Sequence, residues 1–400
     1  MRISLSEATW DKSTSDVVAI AVPSVKTRFD RTLGRIETVT GKGSVKPLAK
    51  DERFEGKSSQ TLKVAAGGKA KSRWLLLVGI GEEKDEEKVA WRMGHAVATA
   101  ARAQKSAAIE LPEVSPATVR AAAQGLVGGS YRYTEYKSDK STAPVLSVAT
   151  LLGAPKSAKG LTAAVRAGKA IGESVNFARD LVNAPPNDLN PVTLARAAAR
   201  ESRKLGLSCR VWNKARIEKE GMNLFLAVNK GSAIEPRMIH VVYKPAKPKK
   251  KVVFVGKGLT FDAGGLCIKP AGSMVTMKCD MAGSATTLGT VFAAARLKLP
   301  IEVHAVVGST ENMTGAAAYR PGDVYKSYEG KTVEVINTDA EGRMVLADVL
   351  TWATRKLKPD VMIDHATLTG ACMVALGPFR AALYTDDDKL AKAYLDAADS

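Results

Sequence analysis

Short, continuous apolar runs separated by longer stretches of helical periodicity set the pattern of the first 160 residues. Val17-Val18-Ala19-Ile20-Ala21-Val22 and Trp74-Leu75-Leu76-Leu77-Val78-Gly79 are too short for core helices and lack polar alternation, so each predicts a buried strand. Glu82 to Ala107 predicts a helix, with a charged first turn and an Ala-rich body spaced through Val89, Met93, Ala96 and Val97. Gly79-Ile80-Gly81 lacks the third glycine of a dinucleotide fingerprint and the lysine of a phosphate loop, so it reads as a strand-to-helix turn. Strands alternating with helices predict a parallel or mixed sheet.

Gly153 to Gly160 is rich in small residues and marks a plausible boundary. A helix follows over Leu161 to Asn183 and must end before Pro185-Pro186. Another starts at Pro191 with Asn190 as its cap. Ser208 to Trp212 and Met238 to Tyr243 predict strands flanking a further helix. Lys244 to Lys251, a basic run bracketed by Met238–Tyr243 and Val252–Val255, reads as a hairpin loop in preference to a nucleic-acid patch. Thr332 to Asn337 alternates and predicts a strand, and a helix runs from about Gly342 through Leu346, Val349, Leu350 and Ala353. The expected fold is α/β: an N-terminal α/β domain with a mixed sheet (1–160), joined by a helix to a C-terminal α/β domain with a mostly parallel or mixed central sheet (161–400).

Composition narrows the class. The 400 residues are 45% hydrophobic and 25% charged, which suits a folded globular protein. No apolar run spans a bilayer, and the first residues have no leader-like apolar core, so no membrane or secretory role is expected. Cys209, Cys267, Cys279 and Cys372 show no CxxC spacing, which predicts reduced thiols and a cytoplasmic protein. The net charge is +18, yet residues 252–400 carry 15 basic and 17 acidic side chains. The excess therefore lies in residues 1–251, as a solvated basic surface or as a field for nucleic acid or acidic partners.

Candidate chemistry concentrates between residues 257 and 343. Lys257, Asp262, Lys269 and Asp280 form one cluster, and Asp339, Glu341 and Arg343 another, in a region that otherwise reads as core. Acids in such a place need positive compensation, and a pair of divalent metal ions is the simplest source. Gly256-Lys257-Gly258 follows the Val252–Val255 run, at the end of a strand where open α/β sheets bind ligands. Asp339 and Glu341, two residues apart past the Thr332–Asn337 strand, would point to one side of an extended backbone. The donors are hard oxygens with one amine, which suit Mg2+, Mn2+ or Zn2+. His95, His240, His304 and His365 have no metal-ligand spacing, and no GxSxG serine motif occurs.

Three segments carry a close resemblance to the leucine aminopeptidase (cytosol aminopeptidase) family of di-metal peptidases: Val255 to Gly265, Met277 to Gly283, and Asn337-Thr338-Asp339-Ala340-Glu341-Gly342-Arg343. Ala178 to Asn187, Glu311-Asn312-Met313, Arg320 to Asp323 and Ala366 to Gly370 add to it. The match runs from about residue 160 onward and is loose before it. The resemblance implies a metal-dependent aminopeptidase that removes leucine and other apolar N-terminal residues from peptides. It implies one metal held by Lys257, Asp262, Asp280 and Glu341, and a second by Asp262, Asp339 and Glu341, as Mn2+ or Zn2+ with Mg2+ or Co2+ as alternatives. A water bridging the two would be the nucleophile. Lys269 would polarise the scissile carbonyl, and Arg343 would hold a bicarbonate general base. Met277, Thr367 and Gly370 would border the first side chain's pocket, and the Leu368 carbonyl would position the peptide. A homo-hexamer is implied, and because some members bind DNA, a DNA-binding or non-catalytic protein is the alternative. Members continue past the point matching Ser400, so the C-terminal part of the catalytic domain, with some of the pocket wall, is expected to be missing.

Overall fold

A computed structural model of the chain describes residues 1–58, 60–139, 145–155 and 157–399. It divides into two compact units, Met1–Glu173 with Thr385–Ser400, and Ser174–Tyr384. The division falls inside the helix Leu161–Asn183.

The first unit is built on six strands: β1 (Arg2–Ser6), β2 (Val17–Pro23), β3 (Thr61–Ala65), β4 (Trp74–Gly81), β5 (Ser106–Glu110) and β6 (Val148–Leu152), in the order β1-β6-β5-β2-β4-β3. All neighbours are parallel except the β3–β4 pair. Both faces are covered, which is why β2 reads as an unbroken apolar run. Val17 and Ala19 pack under Met93, Val97 and Leu126, whereas Val18, Ile20 and Val22 pack under Leu33 and Ile36. The helices are α1 (Lys26–Thr40), α2 (Lys46–Asp51), α3 (Glu86–Ala100) and α4 (Pro116–Gly129). Asp85 caps α3 by accepting from Glu87 N and Lys88 N, and Ser115 with Thr118 forms a capping box on α4.

The helix expected over Glu82 to Ala107 forms over Glu86–Ala100 only, and its last expected residues, Ser106 and Ala107, instead open β5 between β6 and β2. Ala107 and Ala108 are helix formers by propensity, but central sheet pairing and complete burial outweigh that preference. Gly79 and Gly81 lie within β4 rather than in a turn after it.

The second unit begins within α5 (Leu161–Asn183) and continues through α6 (Pro191–Lys204), capped by Asn190 as expected. Its strands are β7 (Ser208–Trp212), β8 (Arg237–Tyr243), β9 (Lys251–Asp262), β10 (Glu302–Asn312) and β13 (Val361–His365), in the order β13-β9-β10-β8-β7. β11 (Val324–Lys326) and β12 (Thr332–Glu334) pair only with each other. Helices α7 (Lys214–Glu220), α8 (Asn223–Asn229), α9 (Ala271–Met274), α10 (Ala282–Leu297), α11 (Glu341–Leu357) and α12 (Ala371–Leu376) complete the unit, and α13 (Asp388–Asp399) groups with the first. One face of the sheet buries Phe225, Val345 and Val349, and the other Leu194, Leu288 and Phe292.

Three further features differ from those expected. Residues 244–250 are not a hairpin loop, because β10 lies between β8 and β9, antiparallel to the first and parallel to the second. The strand starting at Val252 does not stop before Gly256-Lys257-Gly258: it pairs with β10 as far as Asp262, so Lys257 is a strand residue. The strand expected over Thr332 to Asn337 stops at Glu334, and Thr338–Ala340 is a 3-10 turn leading into α11, so Asp339 and Glu341 are not set by an extended backbone.

A polar ladder crosses this sheet. His240 Nε2 lies 2.9 Å from His304 Nδ1, and His304 Nε2 lies 2.8 Å from Glu302 Oε1. Both contacts are satisfied when each imidazole is neutral and protonated on Nε2. Burial, with His304 and Arg210 nearby, pushes His240 down to about 4 from 6.5. A lowered folded-state value means that this stabilisation is full above about 6.5 and is lost as pH falls toward 4. His240→Gln, which keeps a donor toward His304 without titrating, should therefore show a shallower fall in melting temperature between pH 7 and pH 4 than the parent protein, measured by circular dichroism.

Candidate metal centre

The carboxyl ends of β9 and β10 bring the acids together. Lys257 and Asp262 are five residues apart, which in a regular strand puts them on opposite faces. The β9–β10 register shifts between Thr310 and Glu311, so that Asn312 pairs with Asp262. The extra β9 residue taken up there returns Asp262 to the side of Lys257. Asp280 arrives from the turn before α10, and Asp339 and Glu341 from the turn and first residue of α11.

Asp262, Asp280 and Glu341 are buried, and each offers an oxygen within 4.8 Å of the other two. Two ammonium groups tie the acids in pairs. Lys257 Nζ, itself buried, lies 2.9 Å from Asp280 Oδ2 and 2.9 Å from Glu341 Oε1, and donates to the Thr367 carbonyl at 2.7 Å. Lys269 Nζ lies 3.0 Å from Asp262 Oδ2 and 2.6 Å from Asp339 Oδ1. Thr367 Oγ1 donates to Asp280 Oδ1 at 2.8 Å. Glu341 Oε2 is buried and has no hydrogen-bond partner.

Two pieces of backbone can approach the acids only as glycine. At Gly264 and Gly265, both at positive φ, a Cβ would come within 2.9 Å of Asp339 Oδ1 and of Asn312 Oδ1 respectively. At Gly342 it would lie 2.8 Å from Lys257 Nζ.

The electrostatics follow from burial and charge. Burial pushes the Asp280 carboxyl up to about 7, against the pull of Lys257 and with the help of Glu341. Burial also raises Glu341, with Lys257 opposing and Asp262 adding. Burial alone would lower Lys257 and Lys269, but their acid partners outweigh it and hold both above the ordinary lysine value. Four carboxylates face two ammoniums, so the cluster keeps an excess of negative charge and suits further cations.

The structure thus brings together Lys257, Asp262, Lys269, Asp280, Asp339 and Glu341. Thr367 bonds to this cluster. Met277 sits half-buried in the turn just before Asp280, whereas Leu368 and Gly370 lie exposed between β13 and α12. Arg343 is exposed on the first turn of α11. A cavity of about 510 Å³ opens beside Lys269, lined by Phe261, Ile268, Ala271, Met274 and Val275. Asn312, Tyr319 and Thr338, all buried around the acids, escaped the sequence reading as site residues. A polar Ser309-Thr310-Glu311-Asn312 end on the fully buried β10 was the available signal for Asn312, and Tyr319 had none.

The chain matches the catalytic domain of the cytosol aminopeptidase family over residues 176–400 and the N-terminal domain of that family over residues 32–140. It belongs to the cytosol aminopeptidase family. A probable cytosol aminopeptidase of Aquifex aeolicus (strain VF5) is 43% identical over 348 residues, which cover 85% of this chain and 69% of that protein. One from Picosynechococcus sp. is 39% identical over 388 residues, covering 95% and 76%. Among solved structures, the bottromycin maturation enzyme BotP in complex with Mn superposes with a TM-score of 0.82 at 33% identity, covering 96% of this chain and 79% of that one. A tomato leucine aminopeptidase mutant superposes with a TM-score of 0.86 at 30% identity, covering 99% and 79%. This member of the family is a hydrolase of the aminopeptidase class. Among its described residues, no helix is long and apolar enough to cross a membrane.

Removing the Lys257 ammonium leaves Asp280 and Glu341 facing each other without a counter-charge. Lys257→Met should destabilise the metal-free aminopeptidase by about 3–5 kcal/mol, the usual cost of breaking a buried ion pair from one side. Urea denaturation of chelator-treated protein measures it.

Proposed function

We propose that this aminopeptidase removes the N-terminal residue, leucine and other apolar residues first, from peptides with the help of two divalent metal ions. The observation that carries this reading is the buried Asp262–Asp280–Glu341 cluster with its unpartnered Glu341 Oε2. That donor set fits the ions: hard carboxylate oxygens with one amine, in net negative charge, suit Mn2+ or Zn2+, and Mg2+ or Co2+ as alternatives. Lys257, Asp262, Asp280 and Glu341 would hold one ion, and Asp262, Asp339 and Glu341 the other. When bound, the ions supply an activated water and a Lewis-acid contact for the substrate.

The chain's own residues do the rest. Lys257 would give up its proton to serve as a ligand, in exchange for the two carboxylates that now hold it charged. Lys269, released from Asp262 and Asp339 as those acids turn to the ions, would present its ammonium where the scissile carbonyl gains negative charge. Arg343, exposed on the first turn of a 17-residue helix, would hold a small oxyanion there, a reading that the helix N-terminus supports. The family resemblance implies that this anion would be bicarbonate, acting as general base. Apolar side chains would find Met277, Thr367 and Gly370 at the pocket rim, with the Leu368 carbonyl aligning the peptide. The BotP complex with Mn supports manganese as one occupant. The family's name supports a cytoplasmic location, and its resemblance a homo-hexamer.

The test is release of p-nitroaniline from Leu-p-nitroanilide. Chelation should abolish turnover and Mn2+ or Zn2+ restore it, while an N-acetylated substrate stays intact; no activity in the metal-supplemented full-length protein would sink the reading. Lys269→Ala should lower kcat by about 10²–10³-fold, the scale of losing one preorganised oxyanion contact, with metal content by elemental analysis unchanged.

A further inference from the structure

Thr338 is fully buried between the two loops that carry the acids, and its hydroxyl and its carbonyl each make two hydrogen bonds. Its hydroxyl donates to the Gly264 carbonyl at 2.7 Å and accepts from Cys267 N at 2.8 Å. One side chain thus spans the segment between Asp262 and Lys269. Its carbonyl, in the peptide that leads into Asp339, accepts from Tyr319 OH at 2.6 Å and from Asn312 Nδ2 at 3.0 Å.

The second proton of Asn312 Nδ2 goes to Asp262 Oδ1 at 2.8 Å, and Gly264 N donates to the same oxygen at 2.9 Å. With Oδ1 held by two donors, Oδ2 is left facing Lys269. The phenol of Tyr319 is held protonated by burial and by the negative charge of Glu341 and Asp262, so it remains a donor.

We infer that Thr338 is a positioning residue which, gripped by Asn312 and Tyr319, sets the distance between the Asp262–Lys269 loop and the Asp339–Glu341 turn, and so tunes the site for its ions. Hydrogen-bonding partners behind metal ligands commonly matter by about 10–100-fold in affinity or activity. The inference rests on the two-ion reading for its consequence, but its local effect does not need ions.

The experiment compares Thr338→Val, which removes the hydroxyl at constant shape, with Thr338→Ser, which keeps it. Tyr319→Phe provides a second, milder variant should the valine protein fold poorly. In chelator-treated protein, amide hydrogen exchange across residues 263–269 should rise about tenfold in Thr338→Val relative to the rest of the chain and return toward the parent rate in Thr338→Ser. Mn2+ affinity by chelator competition should fall about 10–100-fold in Thr338→Val, with kcat reduced at saturating Mn2+ and KM little changed. Thr338→Ser should recover both, and Tyr319→Phe should show a smaller loss in the same direction. Unchanged local exchange, unchanged Mn2+ affinity, or a loss that serine fails to rescue overturns the inference. Failure of the parent protein to bind Mn2+ would instead overturn the two-ion reading, together with the metal consequence drawn here; the exchange result alone still decides whether the clamp acts.

Discussion

Four carboxylates held within reach of one another in a largely buried place are the constraint on which the catalytic unit is organised. Burial first and mutual repulsion second push such acids toward taking up protons, as the raised Asp280 and Glu341 indicate. Two lysines offset part of that repulsion, each bridging a pair of acids. The lysines do not neutralise the cluster, and the unpartnered Glu341 oxygen marks the residue of unsatisfied demand. A site so arranged suits cations.

The surrounding fold can be understood as the means of bringing those groups together. Parallel strands β9 and β10 end side by side, so Asp262 and Asn312 emerge as neighbours. The 3-10 turn and helix α11 bring Asp339 and Glu341 up to the same edge, and paired glycines at positive φ let the Asp262–Lys269 loop fold against that turn. Paired strands on one side and a 3-10 turn capped by Asn337 on the other limit the freedom between the acids, which is what a site dependent on fixed spacing requires.

Much of this was legible in the sequence because its signals are local. Continuous apolar runs identified the central strands β2 and β4, Pro185-Pro186 ended α5, and Asn190-Pro191 began α6, each by steric or hydrogen-bonding rules that act over a few residues. The acids and lysines stood out because charge is costly in a core-like segment. What failed were statements about partners. A hairpin was expected where β10 intervenes, the helix expected to reach Ala107 ends at Ala100 with Ser106 and Ala107 in a central strand, and an extended backbone was expected at Asp339 where the chain turns.

The sequence by itself determined the chemical inventory: which acids and lysines are present, that the surrounding segments are apolar, and through its motifs the family to which the chain belongs. Only the tertiary structure decided how that inventory is used. A one-residue register shift between β9 and β10 puts Lys257 and Asp262 on the same side despite their odd spacing. The pairing of Lys257 with Asp280 and Glu341, of Lys269 with Asp262 and Asp339, and of Thr338 with Asn312 and Tyr319 joins residues 7 to 84 positions apart along the chain. Hydrogen bonds and ion pairs of this kind depend on separations of a few ångström in space, which no local pattern of hydrophobic and polar residues encodes.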